Sequence, residues 1–180
     1  TRTIDVLEPL LDGCDPLRGT GTFDLTVCFG FLHHVPGEKL RRALLDALVR
    51  RTRAGGIVAL ALWQLMDDPR LARKALAADE EMRARGFPMD GLDANDHFLG
   101  WRDGIQPVRY CHHFNEVEID ELSTHLAQRG AYEVDRFSSD GRSGALNRYL
   151  ICRIEGPIIH DRPPLRQQDG SSAASNMHMA

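Results

Sequence analysis

The stretch from Phe23 to Trp63 constrains the fold of this chain more than any other. Phe23-Asp24-Leu25-Thr26-Val27-Cys28-Phe29 is an apolar run of strand length, broken at Gly30 and followed by Phe31-Leu32-His33-His34-Val35-Pro36. Leu25, Val27 and Phe29 share one face of such a strand. Cys28 on the other face also suits burial, so the run reads as a strand covered on both sides. From Glu38 to Arg53, Leu40, Ala43, Leu44, Ala47 and Leu48 recur at three and four residues. That is one apolar helical stripe, and Lys39, Arg41, Arg42, Arg50, Arg51 and Arg53 fill the rest as a solvated face. Cations in the last turn complement the helix dipole, and Gly55-Gly56 supply a stop before a second buried strand, Gly56 to Trp63. Strand, loop, helix and parallel strand place a ligand outside the carboxyl ends of the strands. The loop from Gly30 to Pro36 is therefore the expected wall of a site.

The remaining chain is read around that unit. Thr1 to Val6 resembles the end of a strand, and Leu7 to Thr22, with Pro9, Asp12-Gly13, Asp15-Pro16 and Gly19-Thr20-Gly21, is mostly turn and loop. Pro69 to Arg85 has strong helix propensity but only Leu71, Leu76 and Met82 as apolar anchors, which predicts an excursion helix outside the main core. Gly86 to Gln106 shows no clear period, and a loop of that length is usually functional or mobile. Residues 68–106 together form a lid-like excursion. Val108 to Phe114 is a short strand, and Glu116 to Arg129 is a helix with Val117, Ile119, Leu122 and Leu126 inward and Gly130 at its end. Tyr132 to Phe137 and Leu146 to Ile154 form an antiparallel pair around Ser138–Gly144. The expected architecture is an α/β domain over 1–155, a mostly parallel sheet ending in an antiparallel strand pair. The polar tail over 156–180 is expected to be disordered.

Composition narrows the function classes. The net charge of −4 carries no global basic field, so nucleic acid would have to be met by a local patch. The arginines of the two helices are candidates for one, with solvated helix faces the commoner explanation. No segment reaches the length of a membrane span and no signal peptide is visible. Cys14, Cys28, Cys111 and Cys152 share no C-x-x-C spacing, and buried free thiols at Cys28 and Cys152 fit a reducing, cytoplasmic setting. His33-His34 and His112-His113 lack the i, i+4 spacing of a helical zinc site, so no metal is expected.

Phe23-Asp24 at a strand start, Phe31-Leu32-His33-His34-Val35 at its end and Ala54-Gly55-Gly56-Ile57-Val58-Ala59-Leu60 before the next strand resemble the later half of class I S-adenosylmethionine-dependent methyltransferases. A closer resemblance covers the second half. Leu99-Gly100-Trp101, Arg109-Tyr110-Cys111-His112-His113-Phe114-Asn115 and Glu118 to Leu122 look like the P/G-W, R-Y-Y-H-x-F/Y and E-L pattern of tRNA wobble-uridine carboxymethyl methyltransferases. The similarity runs from about Thr1 to Ile154, with Cys111 standing where the pattern has its second tyrosine. The superfamily's glycine-rich loop and the acidic residue that binds the ribose have no counterpart. The resemblance places both before Thr1, so the chain reads as a carboxyl-terminal portion of a Rossmann-like domain that by itself binds cofactor weakly and is inactive.

The resemblance implies S-adenosylmethionine as cofactor, with Asp5 and the Val6 N–H at the adenine and with Phe29, Gly30, Phe31 and His34 along the sulfonium side. Open space for backbone approach is the expected reason for Gly30. One histidine of the His33-His34 pair lines the cofactor and the other makes a structural hydrogen bond. It also implies an acceptor carboxylate held by Arg109, with Trp101, Tyr110 and His112 positioning it. An arginine grips a carboxylate bidentately, and an anionic acceptor needs no strong base. For Arg109 an ordinary surface ion pair is nearly as good a reading. The implied partners are tRNA and a small partner subunit. A small-molecule acceptor and a non-catalytic interaction domain are the rival readings.

Overall fold

A computed structural model of the chain describes residues 3–100 and 108–156. Its elements, in chain order, are helix α1 (Leu7–Leu11), strand β1 (Phe23–Cys28), helix α2 (Glu38–Arg50), strand β2 (Thr52–Trp63), helix α3 (Pro69–Ala84), strands β3 (Asp96–Gly100) and β4 (Val108–His112), helix α4 (Glu116–Ala127), and strands β5 (Ala131–Ser139) and β6 (Asn147–Ile154). The main sheet has the order β1-β2-β6-β5. β1 and β2 are parallel, with Leu25 beside Ile57 and Cys28 beside Leu60. β6 runs antiparallel to both β2 and β5. The Rossmann-like α/β class is as expected. Parallel pairing among the described residues is confined to β1 and β2.

The main core lies on one face of this sheet. Cys28, Val58, Leu60, Leu62, Leu150 and Cys152 point to it from the strands, and Leu44, Leu45, Leu48, Ile119, Leu122 and Leu126 meet them from α2 and α4. Alternation sends every second residue of each strand to the opposite face. There Leu25, Val27 and Phe29 are 58%, 49% and 51% exposed. β1 is thus covered on one side only, contrary to its reading as a strand buried on both. A string of apolar residues records the capacity for double burial, whereas cover depends on which elements are present to pack. An open cleft of about 440 Å³ runs beside its amino end, lined by Ile4, Leu17, Phe23, Val27 and Leu48 among others.

Several local expectations change. Thr3 to Val6 is irregular, and the short helix α1 stands in the expected loop. β2 begins at Thr52, so α2 ends at Arg50 without help from Gly55-Gly56. Gly55 has φ 78°. At Gly56 a Cβ would lie 2.8 Å from the Asp24 carbonyl oxygen, so only glycine lets β1 and β2 approach there. Leu76 and Val117, expected inward, are 52% and 69% exposed.

The excursion is more ordered than its sequence implied. β3 and β4 form a two-stranded antiparallel sheet, with Leu99 beside Arg109 and Asp96 beside His112. α3 starts on Asp68, whose carboxylate accepts from the N–H groups of Arg70 and Leu71. Trp63, Leu65, Leu71, Ala75, Leu99 and Cys111 form a second apolar cluster between α3, the hairpin and the carboxyl end of β2. The tail beyond Gly156 lies outside the described residues.

Candidate functional site

At the carboxyl ends of β1 and β2 the chain brings four planar side chains together, the ring pairs tilted by 55° and 54°. Leu32–His34 form a single helical turn after Gly30, which carries His33 inward. Its ring centroid lies 4.1 Å from that of His34 and 4.5 Å from that of Trp63. The Arg109 guanidinium carbon sits 5.5 Å from the centroid of the same indole, within reach of a cation–π attraction. Burial, and after it the electrostatic influence of His34, Arg109 and His112, pushes His33 down to about 3. It is therefore neutral at physiological pH, and its Nδ1 is buried without a hydrogen-bond partner. The His34 Nδ1 lies 2.9 Å from the Tyr110 carbonyl oxygen. A carbonyl only accepts, so that nitrogen carries a proton and donates it. His34 is thus the histidine of the pair that makes the structural hydrogen bond, and His33 stacks.

β4 presents this site on one edge of its alternation and a buried ionic network on the other. Arg109 and Cys111 point toward Trp63 and α3, while Tyr110 and His112 point the opposite way. His112 is 1% exposed. Its Nδ1 is 2.6 Å from Asp96 Oδ1 and its Nε2 is 2.7 Å from Glu118 Oε2. Both nitrogens donate to carboxylates, which defines an imidazolium. Burial works against that charge, but the bonds to Asp96 and Glu118 outweigh it and raise the pKa. The Tyr110 hydroxyl donates to Asp96 Oδ1 at 2.6 Å, and burial together with that bond keeps the phenol protonated. Burial pushes the Asp96 carboxyl up, and its bonds from His112, Tyr110 and the Asp93 N–H outweigh this and hold it below the usual range.

Arg41 closes the network from α2. Although expected on the solvated face, it is 1% exposed. Its guanidinium donates to Asp93 at 2.9 Å, to the Tyr110 hydroxyl at 3.3 Å, to Glu118 at 3.4 Å and to the Val35 carbonyl at 3.4 Å. The signal was present in the spacing: Arg41, Leu44, Leu45 and Leu48 stand at i, i+3, i+4 and i+7, one helical face. Removing one partner from such a set leaves a buried charge uncompensated, at a cost of about 3–5 kcal/mol.

The expected site residues therefore separate. Arg109 and His34 come together, joined by His33 and Trp63, which the sequence reading had not assigned to the acceptor. Trp63 could have been found as the last residue of the β2 run, at a strand's carboxyl end. Tyr110 and His112 are held within the protein by Asp96, Glu118 and Arg41, so their polar atoms face away from Arg109. Both were expected to position the acceptor; their polar atoms are bonded on the face of β4 opposite Arg109. Trp101 lies outside the described residues. Asp5 Oδ1 accepts from the N–H groups of Leu7 and Glu8, capping α1, and Val6 already has helical backbone angles. Gly30 has φ 65° and open space where a Cβ would stand. Its backbone conformation is what requires glycine there. It lies between the exposed rings of Phe29 and Phe31, and Phe29 meets Tyr149 edge-on at 5.5 Å.

Several arginines of the two helical stretches are paired with carboxylates. Arg50 and Arg51 reach Asp15, Arg42 reaches Glu38, Arg53 reaches Asp24 and Arg85 reaches Glu81. Cys28, Cys111 and Cys152 are buried free thiols and Cys14 is exposed. Burial raises Cys28 and Cys111 to about 11 and Cys152 to about 12. No helix among the described residues is long and apolar enough to cross a membrane.

Neither models of protein families nor curated proteins match the chain. Solved structures do. An S-adenosylmethionine-dependent methyltransferase from Methanosarcina mazei superposes with a TM-score of 0.54 at 18% identity, over 76% of this chain and 61% of its own. A Clostridium acetobutylicum S-adenosylmethionine-dependent methyltransferase gives 0.49 at 10% identity, over 83% and 69%. The N-methyltransferase NodS of Bradyrhizobium japonicum, bound to S-adenosyl-L-homocysteine, gives 0.42 at 16%, over 83% and 51%. The chain thus spans 61% of the Methanosarcina protein and about half of NodS. The β1-α2-β2 crossover, the antiparallel β5 and β6 and the superposition agree: the chain has the Rossmann-like fold of the S-adenosylmethionine-dependent methyltransferases.

Proposed function

We propose that this chain forms the acceptor-holding part of an S-adenosylmethionine-dependent methyltransferase. The acceptor is the carboxylate of a carboxymethyl-modified uridine at the tRNA wobble position. The observation that carries this reading is the Arg109 guanidinium laid over Trp63, beside a neutral His33, at the carboxyl ends of two parallel strands. The indole holds the guanidinium by a cation–π contact, and the fork of a guanidinium matches the two oxygens of a carboxylate. The uncharged His33 leaves Arg109 as the cation in the stack. His34 is held beside them by the hydrogen bond from its Nδ1 to the Tyr110 carbonyl. Gly30, between Phe29 and Phe31, supplies one open wall on which a nucleoside cofactor can lie. When bound, S-adenosylmethionine supplies a methyl group on sulfonium sulfur that a carboxylate oxygen takes with its own electron pair and no proton transfer. The protein's part is alignment and exclusion of water. The choice of tRNA and of a partner subunit rests on the resemblance around Arg109-Tyr110.

Binding is tested first, by calorimetry of the chain with 5-carboxymethyluridine and with uridine. The expected result is binding of the carboxymethyl nucleoside alone, weakened at least about 30-fold by Arg109→Ala, the loss of a charged hydrogen-bonded pair. Equal affinity for both nucleosides would count against the carboxylate. Transfer is tested with the full-length protein and methyl-labelled cofactor on bulk tRNA, where label in base-labile ester linkages is expected. Label entering small carboxylic acids but never tRNA would shift the reading to a small-molecule acceptor.

A further inference from the structure

The rear face of β4 carries a polar scaffold that the acceptor reading does not use, and four elements converge on it. Asp96 comes from β3, Tyr110 and His112 from β4, Arg41 from α2 and Glu118 from α4. Asp96 Oδ1 takes hydrogen bonds from both Tyr110 and His112 at 2.6 Å, which pins alternate residues of one strand to a single oxygen of the neighbouring strand. Arg41 then ties the Tyr110 hydroxyl to α2 at 3.3 Å, and His112 ties β4 to Glu118 of α4 at 2.7 Å. Arg109, next to Tyr110 in β4, is on the front face beside these two tethers. A strand held this way cannot roll about its axis without breaking charge-assisted bonds inside the protein. A two-stranded ribbon with no such anchor would roll easily.

From this geometry we infer that Arg41, through Tyr110 and Asp96, is a positioning residue for Arg109, holding the guanidinium over Trp63. The inference rests on the assignment of Arg109 as the acceptor's anchor, but its geometric part is independent of any acceptor. Arg41 never touches the acceptor. It acts through β4, so its loss releases the strand and tilts Arg109 away from the indole.

The test reads Trp63 directly, in a Trp101→Phe background so that one indole reports. Arg109→Gln sets the reference by removing the cation from the ring. Arg41→Gln and Tyr110→Phe are each expected to move the emission of Trp63 in the same direction, by at least about half the reference change. Arg41→Lys, which keeps the charge without the fork, should fall between. Melting curves and circular dichroism establish which variants fold, and Tyr110→Phe, which deletes one hydroxyl, carries the test if Arg41→Gln does not fold. A folded variant with lowered melting temperature and unchanged Trp63 emission would show a purely structural network and overturn the inference. With 5-carboxymethyluridine the same variants should bind about tenfold more weakly, in line with a misplaced anchor. If the nucleoside does not bind the parent chain at all, the acceptor reading fails while the emission result still stands.

Discussion

His33 shows how one residue can cost stability for the sake of a site. Its ring is packed between His34 and Trp63, its Nδ1 is unpartnered, and its pKa falls from the ordinary 6.5 to about 3. Between those values the unfolded chain binds the proton that the folded chain refuses. The folded state is therefore fully favoured above pH 6.5, and this part of its stability is lost as pH falls toward about 3. His33→Phe keeps a ring against Trp63 and removes the proton. Urea unfolding at about pH 7 and about pH 5 should show a smaller acid-side loss in this variant than in the parent. An identical loss in both would assign the acid sensitivity to other groups. His112 works in the opposite sense: its raised pKa stabilises the fold below the ordinary value, and that contribution fades as pH climbs through the raised one.

At the scale of elements, the hairpin of β3 and β4 is held by unlike forces on its two faces. Toward α3 it offers Leu99, Cys111 and the stacked Arg109, and toward α2 and α4 it offers a network of charges. α3 is tied to it by Asp79, whose Oδ1 accepts from the Phe98 N–H at 2.7 Å and whose Oδ2 lies 2.7 Å from the His97 Nδ1. Asp79→Ala leaves a buried N–H without an acceptor, a loss of about 1–3 kcal/mol. Hydrogen exchange should report it as faster exchange in β3 and β4 with β6 unchanged. Uniform acceleration across both sheets would mean that the hairpin and the main sheet open as one unit. The helical period of α3 was legible because alanine-rich propensity is local. β3 was not legible, because Asp96 and His97 break apolar alternation, and their burial depends on partners on other elements.

At the scale of the whole molecule, the main sheet has one dry face, and its other face is buried along β2 but open along β1. Leu60 is fully buried on the first and Leu25 is 58% exposed on the second, on neighbouring strands. Leu60→Ala should cost about 2–5 kcal/mol, as cavity-forming core substitutions do. Leu25→Ala should cost less than about 0.5 kcal/mol, as surface changes do. Urea midpoints of the two variants test this difference. Comparable losses would show that the open face is covered in solution.

The sequence by itself determined the crossover unit. Apolar period and length define β1, α2 and β2, the turn chemistry of Ser138–Gly144 defines the β5 and β6 pair, and the position of His33-His34 after a strand locates the ligand end of the sheet. These are properties of neighbouring residues. Only the tertiary structure decided that Arg41 is buried, that Tyr110 and His112 stand behind Arg109, and that Trp63 and His33 stand with it. Each of these depends on a partner from another element: Asp93, Asp96 or Glu118 for the buried groups, and the carboxyl end of β2 for Arg109. A charged side chain reads as solvent-facing until its counter-charges are placed, because burial of an ion is decided by what pairs with it.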